Sequence, residues 1–560
     1  MKSIIKMFEE TFRTYADQKA LADYRSKDTY TYLQLATEIK MMHLYFESAG
    51  IKKGDHIALI GKNSTKWIIT YAAAATYGAV IVPILSDFNP ADAANIINHS
   101  DSVFLAADAQ LWKAVKDSGV EMPKLQGAAS LESWEILLDI DGRFAAAEKS
   151  AVAAFKKRYR NGYAPRDIVY DDRAMDDVME INYTSGTSGF SKGVVLTVQS
   201  LTFVVQFAHD HHQHYPGSRV LALLPLAHAY GCAFDMLSPL SAGSSITLLG
   251  KIPSPAVLMQ AMQEVKPHLL CTVPLVMEKV VTKRILPELQ QRPAAVLVKI
   301  PILRGIVYRK IRSSMLEAFG GCLYEINMGG AALNPEVEDL LRKVKFPYTV
   351  GYGMTECGPL IAYEDHKYFK KGSCGKLLPG MEAKVIVDEG GQSAGEICVK
   401  GPNVMNGYYK NIEATADAID GEGWLHTGDV GVVAPDGTVT LRGRCKSMIL
   451  GANGQNIYPE EIEAKLNDLE GVAESLVYQE SGRIYALVVP DDDEIKKRGL
   501  TMPDLTEIMR ANLARLNQIV APYERLASIK ICAAAFEKTP KRSIRRYLYP
   551  KSAVILCTVG

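Results

Sequence analysis

Short β-branched runs alternating with helix-length segments constrain this chain more than any other feature. HIALIG (56–61), AVIVPI (79–84) and SVFLAA (102–107) read as strands, and Ser64–Tyr77 and Ala91–His99 between them read as helices. The rhythm returns after residue 178 with VMEINY (178–183), VLALLP (220–225), SSITLL (244–249) and HLLCTV (268–273). Strand-then-helix alternation predicts parallel sheet covered on both faces. The more polar stretch 108–177 reads as helices plus an excursion. After about residue 370 the texture changes to short strands between Gly- and Asp-rich turns: AKVIVD (383–388), GEICVKG (395–401) and GVVAPDGTVTLRG (431–443). Asp436-Gly437 between two alternating runs is a hairpin signal, so a small β-rich unit is expected here. From about 447 helix and strand alternate again.

Length and charge narrow the class. The 560 residues suggest three or four structural units. With 63 basic side chains against 63 acidic ones, the chain lacks the basic excess of a general nucleic-acid binder. An apolar share of 48% argues against bulk disorder. The nine cysteines (232, 271, 322, 357, 374, 398, 445, 532 and 557) contain no CxxC pair and read as free thiols of a reducing cytoplasm. The N-terminus carries acidic residues by position 9 and no apolar core, so no signal peptide is visible. From Trp67 to Leu85 no charge occurs, close to a membrane span in length. Gly78 divides an Ala-rich half from a β-branched half, which predicts a buried helix followed by a buried strand.

The most informative stretch is Tyr183-Thr-Ser-Gly-Thr-Ser-Gly-Phe-Ser-Lys-Gly193, which follows an apolar strand. Its glycines let backbone N–H groups turn toward an anion, its hydroxyls add donors, and Lys192 adds a positive charge. A phosphate cradle built on Thr184, Ser185, Gly186, Thr187, Ser188 and Gly189 follows. A Walker A loop needs Gly before the lysine and Ser or Thr after it; here Ser191 and Gly193 stand there instead.

This loop resembles that of the acyl-adenylate-forming superfamily, which includes acyl-CoA synthetases, luciferases and peptide-synthetase adenylation domains. Further segments are similar in the family's order. They are Gly50-Ile-Lys-Lys-Gly-Asp55, Leu224-Pro-Leu-Ala-His-Ala-Tyr-Gly231, Gly329-Gly-Ala-Ala-Leu333, Gly351-Tyr-Gly-Met-Thr-Glu356, Gly423-Trp-Leu-His-Thr-Gly-Asp429 and Gly443-Arg-Cys-Lys446. The likeness runs over about residues 1–550. It implies an α/β fold: a large N-terminal domain (1–443) of two α/β subdomains and a small β-barrel subdomain. A hinge (444–446) and a small mobile α+β cap (447–560) complete it.

The resemblance also implies roles. A carboxylate would attack the α-phosphate of ATP to give acyl-AMP and pyrophosphate, and the thiol of coenzyme A would then displace AMP. Glu356 would hold Mg²⁺, and Thr355 would donate to the α-phosphate. Tyr352, beside Gly353, would lie against adenine, with Gly329, Gly330 and Ala331 lining the adenine and acyl pocket. Asp429 would accept both ribose hydroxyls, with Arg444 nearby. His228 would lie beside the acyl carboxylate, Lys446 would mark the hinge, and Gly454 would line the pantetheine tunnel. The run His209, His211, His212 and His214 lacks carboxylates or cysteines at ligand spacing and reads as an exposed helix face.

One departure stands out. Where the family ends in a catalytic lysine, Lys538-Thr-Pro-Lys-Arg-Ser543 has Ser543, so Lys541, or else Arg542, is expected to take that charge's place. The layout looks most like long-chain fatty acid–CoA ligases. An aromatic or other acid–CoA ligase, an acyl-AMP ligase loading a carrier protein, and a non-catalytic acyl- or nucleotide-binding protein remain as alternatives. The apolar, basic-dotted segment 293–312 reads as peripheral membrane contact or equally as a helix pair near the acyl tunnel. The expected place is the cytoplasm, with association at the inner membrane surface. The tail Val554–Val559 carries no readable motif.

Overall fold

The computed structural model describes residues 1–184, 191–250, 255–281, 285, 301–387, 394–450, 456–539 and 543–560. The predicted alternation builds two seven-stranded sheets. In one, strands Gly127–Ser130, Ser102–Ala107, His56–Ile60, Val80–Ile84 and Val178–Thr184 run parallel. Antiparallel strands Ile136–Asp139 and Lys192–Thr197 close its edges. In the other, Tyr348–Val350, Glu325–Met328, Leu269–Thr272, Arg219–Ala222, Ser245–Leu248 and Lys19–Asp23 are parallel, with Thr29–Thr31 antiparallel at the edge.

The uncharged stretch 67–85 becomes helix Thr65–Tyr77 and central strand Val80–Ile84. Ser64 starts the helix by accepting the Trp67 N–H, and Gly78 ends it at φ +98°. Nearly every side chain of this helix is buried, which is why it needs no polar face. Trp67 stacks on Tyr71 with ring centroids 5.6 Å apart. Truncating such a fully buried ring costs about 3–5 kcal/mol. Among the described residues, no helix is long and apolar enough to cross a membrane.

The β-rich region forms a four-stranded antiparallel sheet, Glu382–Ile386, Gly395–Lys400, Leu425–Val433 and Val439–Arg444. The block after 447 has its own core, in which Ile462, Leu466, Leu516 and Ile529 are fully buried. The unread tail supplies an edge strand there: Ile555–Val559 pairs antiparallel with Leu526–Cys532. Among the described residues, polar contacts joining this block to the rest include Arg442 with Glu461 at 3.4 Å and the Asn334 amide donating to Asp468.

The histidine run is not one exposed face. His211 and His212 are exposed, but His214 is buried and His209 lies half-buried with Nε2 2.9 Å from Ser241 Oγ. The helix ends at Asp210, so the chain turns and carries His214 inward. Burial then pushes the His214 pKa down to about 3.

Candidate active site

The residues singled out in the sequence cluster at the carboxyl ends of parallel strands. Thr184 ends Val178–Thr184, and His228 follows Arg219–Ala222. Gly329, Gly330 and Ala331 follow Glu325–Met328, while Tyr352 and Gly353 follow Tyr348–Val350. Open α/β sheets bind ligands there, because the loops leaving the strands diverge. Thr184 and Lys192 are cross-strand partners, so the hairpin brings both ends of the predicted phosphate loop together. Ser185, Gly186, Thr187, Ser188 and Gly189 lie outside the described residues, as do Gly454 and Lys541.

Lys192 and Glu356 are linked through Tyr408. The lysine Nζ lies 4.8 Å from the Tyr408 ring centroid, and the Tyr408 hydroxyl donates to Glu356 Oε1 at 2.9 Å. Burial and then Glu356 raise the phenol's pKa, so Tyr408 stays a donor. Glu356 is buried in the turn Thr355–Cys357. The Glu356 carbonyl accepts the Met405 N–H at 2.9 Å. Asn403 pins the same turn, donating to the carbonyls of Cys357 at 2.8 Å and Leu360 at 2.6 Å. Gly353 sits where a Cβ would come within 1.8 Å of the Pro359 carbonyl oxygen. Only glycine fits, and Thr355 and Glu356 are placed accordingly.

A second group forms around Asp429. Tyr352 donates to its Oδ2 at 2.8 Å and Arg444 to its Oδ1 at 2.5 Å. The Asp429 N–H donates to Thr427 Oγ1 at 3.1 Å. Burial opposes the Arg444 charge, but Asp429 outweighs it and holds the guanidinium above its ordinary pKa. Tyr352 therefore uses its hydroxyl on Asp429 and keeps its ring as a wall. Lys446 is exposed in the turn Cys445–Ser447, two residues beyond Arg444.

His228 is half-buried at the start of a short helical turn, where its Nδ1 accepts the Tyr230 N–H at 3.3 Å. Tyr230 donates to the Asn327 carbonyl at 2.9 Å, and its ring lies 3.2 Å from where a Gly329 Cβ would sit. Behind this segment lies a buried carboxylate, Glu180. Tyr71 donates to it, and Asn182 donates both to it at 2.7 Å and to the Ala227 carbonyl at 3.2 Å. Burial raises the Glu180 pKa. The pair Glu180 and Asn182 thus ties the strand beneath the phosphate loop to the segment carrying His228.

Sequence reasoning missed Tyr408, Tyr230, Asn403 and Glu180. The polar run Gly401-Pro-Asn-Val-Met-Asn-Gly-Tyr-Tyr409 held a signal for two of them, because an Asn and tandem aromatics in a Gly-rich turn suggest built contacts. Glu180 gave none, since a carboxylate inside an apolar strand reads as an edge residue until the sheet is assembled. At the C-terminal departure, Ser543 is exposed, and its carbonyl accepts the Thr539 N–H at 2.8 Å. All nine cysteines are free.

A family model described as "AMP-binding enzyme" matches residues 8–409. Long chain acyl-CoA synthetase 7, peroxisomal, of Arabidopsis thaliana is 27% identical, covering 87% of this chain and 73% of that one. 4-coumarate-CoA ligase 1 of Narcissus pseudonarcissus is 28% identical over 84% of this chain and 80% of its own. Among solved structures, the anthranilate CoA ligase AuaEII in complex with anthranoyl-AMP aligns with a TM-score of 0.78 at 18% identity, covering 98% of this chain and 97% of the other.

Proposed function

The chain belongs to the AMP-binding enzyme family, and on that footing we propose that it activates a long-chain fatty acid as its coenzyme A thioester. The coarser activity is that of an acid–CoA ligase working through an acyl adenylate, with ATP and coenzyme A as substrates. One observation carries the reading most directly: Lys192, Tyr408 and Glu356 form one connected polar group beside the Tyr352–Asp429–Arg444 group. A pure binding protein has no need of both.

In the first half-reaction an acid oxygen forms a bond to the α-phosphorus, and pyrophosphate leaves with the electron pair. Lys192 supplies positive charge at the phosphate loop. Thr355 would donate to the α-phosphate oxygen. Asp429 would exchange its Tyr352 and Arg444 donors for the two ribose hydroxyls, and Arg444 would remain beside the ribose. A carboxylate oxygen is the hard ligand that magnesium takes, and Glu356, buried and oriented by Tyr408, fits that role. The ion supplies charge neutralisation on the phosphate oxygens. Lys541 would place a further cation near the transferred group, standing in for the lysine that Ser543 replaces.

In the second half-reaction the thiol sulfur bonds to the acyl carbon and AMP leaves. His228 would border the acyl carboxylate, and Gly454 the pantetheine arm. The body 1–443 and cap 447–560 would rotate about 444–446 between the two, with Lys446 at the pivot. Exposed Ile306 beside exposed Arg309 and Lys310 on helix Pro301–Ala318 supports contact with an inner membrane surface by a cytoplasmic enzyme.

An aromatic acid is the second reading, favoured by the 4-coumarate–CoA ligase relative. Carboxylate-dependent pyrophosphate exchange, run over fatty acids of graded length and over cinnamate-type acids, separates the two. Thioester formation with and without coenzyme A then tests the acceptor. Exchange with long fatty acids strongest is the expected result. Exchange with aromatic acids alone reverses the substrate, and exchange with no acid overturns the ligase reading for this chain.

A further inference from the structure

The sheet that carries Asp429 also gathers a thiol, an imidazole and a carboxylate that the reaction does not use. Glu396 and Cys398 stand two apart on strand Gly395–Lys400 and so share a face. Cys398 is the direct cross-strand partner of His426, whereas Glu396 pairs with Val430. A step of two residues on one strand thus matches a step of four on the other, and this bulge at Thr427–Gly428 swings Glu396 toward His426. Cys398 Sγ lies 3.5 Å from His426 Nδ1, and Glu396 Oε2 lies 2.9 Å from the same nitrogen. Ligand atoms of all three come within 4.8 Å of one another.

We propose that Cys398, His426 and Glu396 form a binding site for a thiophilic divalent cation, zinc above all, on the sheet that carries Asp429. The donor set is the first argument. One sulfur, one imidazole nitrogen and one carboxylate oxygen suit zinc and reject magnesium, which takes oxygen ligands. This site is therefore chemically distinct from Glu356. The spacing is the second. Tetrahedral zinc with ordinary bond lengths puts sulfur and nitrogen about 3.6 Å apart and nitrogen and oxygen about 3.4 Å apart. The first distance is already present, and the second needs about 0.5 Å of opening once a metal replaces the proton between Glu396 and His426.

The surroundings supply an outer shell. Glu396 Oε1 accepts the Gly428 N–H at 3.1 Å, which orients Oε2 toward the imidazole. Asp420 Oδ2 lies 3.6 Å from His426 Nε2, the position of the carboxylate that commonly orients a metal-bound histidine. Cys398 is buried while His426 and Glu396 are partly open, so an ion enters from their side and the thiol proton leaves as it binds. The metal site does not rest on the ligase reading above.

The test uses the full chain, stripped of metal and titrated with cobalt(II) as a spectroscopic substitute for zinc. One equivalent with a thiolate-to-cobalt charge-transfer band, displaced by zinc, is expected. Cys398→Ser should weaken binding by at least about 100-fold, since loss of an outer-shell partner alone costs 10–100-fold. Cys322→Ser, a thiol elsewhere, should leave it unchanged. Retained pyrophosphate exchange without zinc shows that Cys398→Ser is folded. Absence of the band in the unaltered chain, or its persistence in Cys398→Ser, overturns the site. Because cobalt binding needs no catalysis, a failure of the metal site is separable from a failure of the ligase reading.

Discussion

Arg444 and Asp429 face each other in direct register across adjacent antiparallel strands, with the guanidinium Nη1 2.5 Å from the carboxylate Oδ1. Tyr352 occupies the other carboxylate oxygen at 2.8 Å. Asp429 is thus held by two donors, which a ribose diol would replace in the proposed role. Asp429→Ala should raise the KM for ATP on the order of 10–100-fold, since one hydrogen bond to a charged group contributes about 1.5–3 kcal/mol. Initial rates over an ATP series check this, and an unchanged KM removes Asp429 from the nucleotide site.

Tyr408 joins Lys192 to Glu356 by two different interactions, so two substitutions separate them. Tyr408→Phe keeps the ring against Lys192 and deletes the donor to Glu356. Tyr408→Ala deletes both. The Phe variant should need more magnesium for half-maximal exchange, and the Ala variant should lose a further several-fold in rate, because a partly exposed cation–π contact contributes about 0.5–1 kcal/mol. Identical magnesium titrations for the unaltered chain and Tyr408→Phe would exclude Glu356 as the ion's ligand.

Gly353 permits the close approach of the turn that presents Thr355 and Glu356. Gly353→Ala drives a Cβ to 1.8 Å from the Pro359 oxygen, and backbone on both sides must shift. Adenylation should fall by more than about 100-fold, because misplacement by about 1 Å has that effect. A crystal structure or hydrogen exchange of 350–361 should show the displaced turn. Full activity in this variant would mean that the turn is malleable.

Asp468 links pH to the contact between the two blocks. Burial first, then Glu336 and Glu278, raise its pKa from 3.8 to about 7. A carboxyl whose pKa rises on folding gives stability that is complete below the unfolded value and is lost as pH climbs through the folded one. The contact with Asn334 should therefore loosen between pH 4 and 7. Asp468→Asn keeps an acceptor for the Asn334 amide and removes the charge. Its Tm should exceed that of the unaltered chain above about pH 7 and match it near pH 4. Parallel Tm curves at all pH values would rule this out.

Much of the site was legible because its residues carry their chemistry in local sequence. The Gly- and hydroxyl-rich run before Lys192, the Thr355-Glu356 pair and the His-Thr-Gly-Asp429 run each announce a turn with polar side chains. Strand and helix alternation likewise depends on neighbours in the chain. The roles of Tyr408, Asn403 and Glu180 were not legible, since they lie in contacts 43 or more residues distant. Tyr408 meets Glu356, Asn403 meets Cys357 and Leu360, and Glu180 meets Tyr71.

The histidine run and the C-terminal tail show the same division. Spacing alone spoke against a metal at 209–214, but whether His214 faced water depended on where the helix ended. The tail lacked a motif because an edge strand needs only backbone N–H and C=O groups, and the partner Leu526–Cys532 supplies the rest. By itself the sequence determined the α/β class, the family and the order of the site motifs. Only the tertiary structure decided which carboxylate receives which donor, and that a strand bulge sets Cys398, His426 and Glu396 together. Cross-strand register and burial are properties of the assembled sheet, and no local run of residues encodes them.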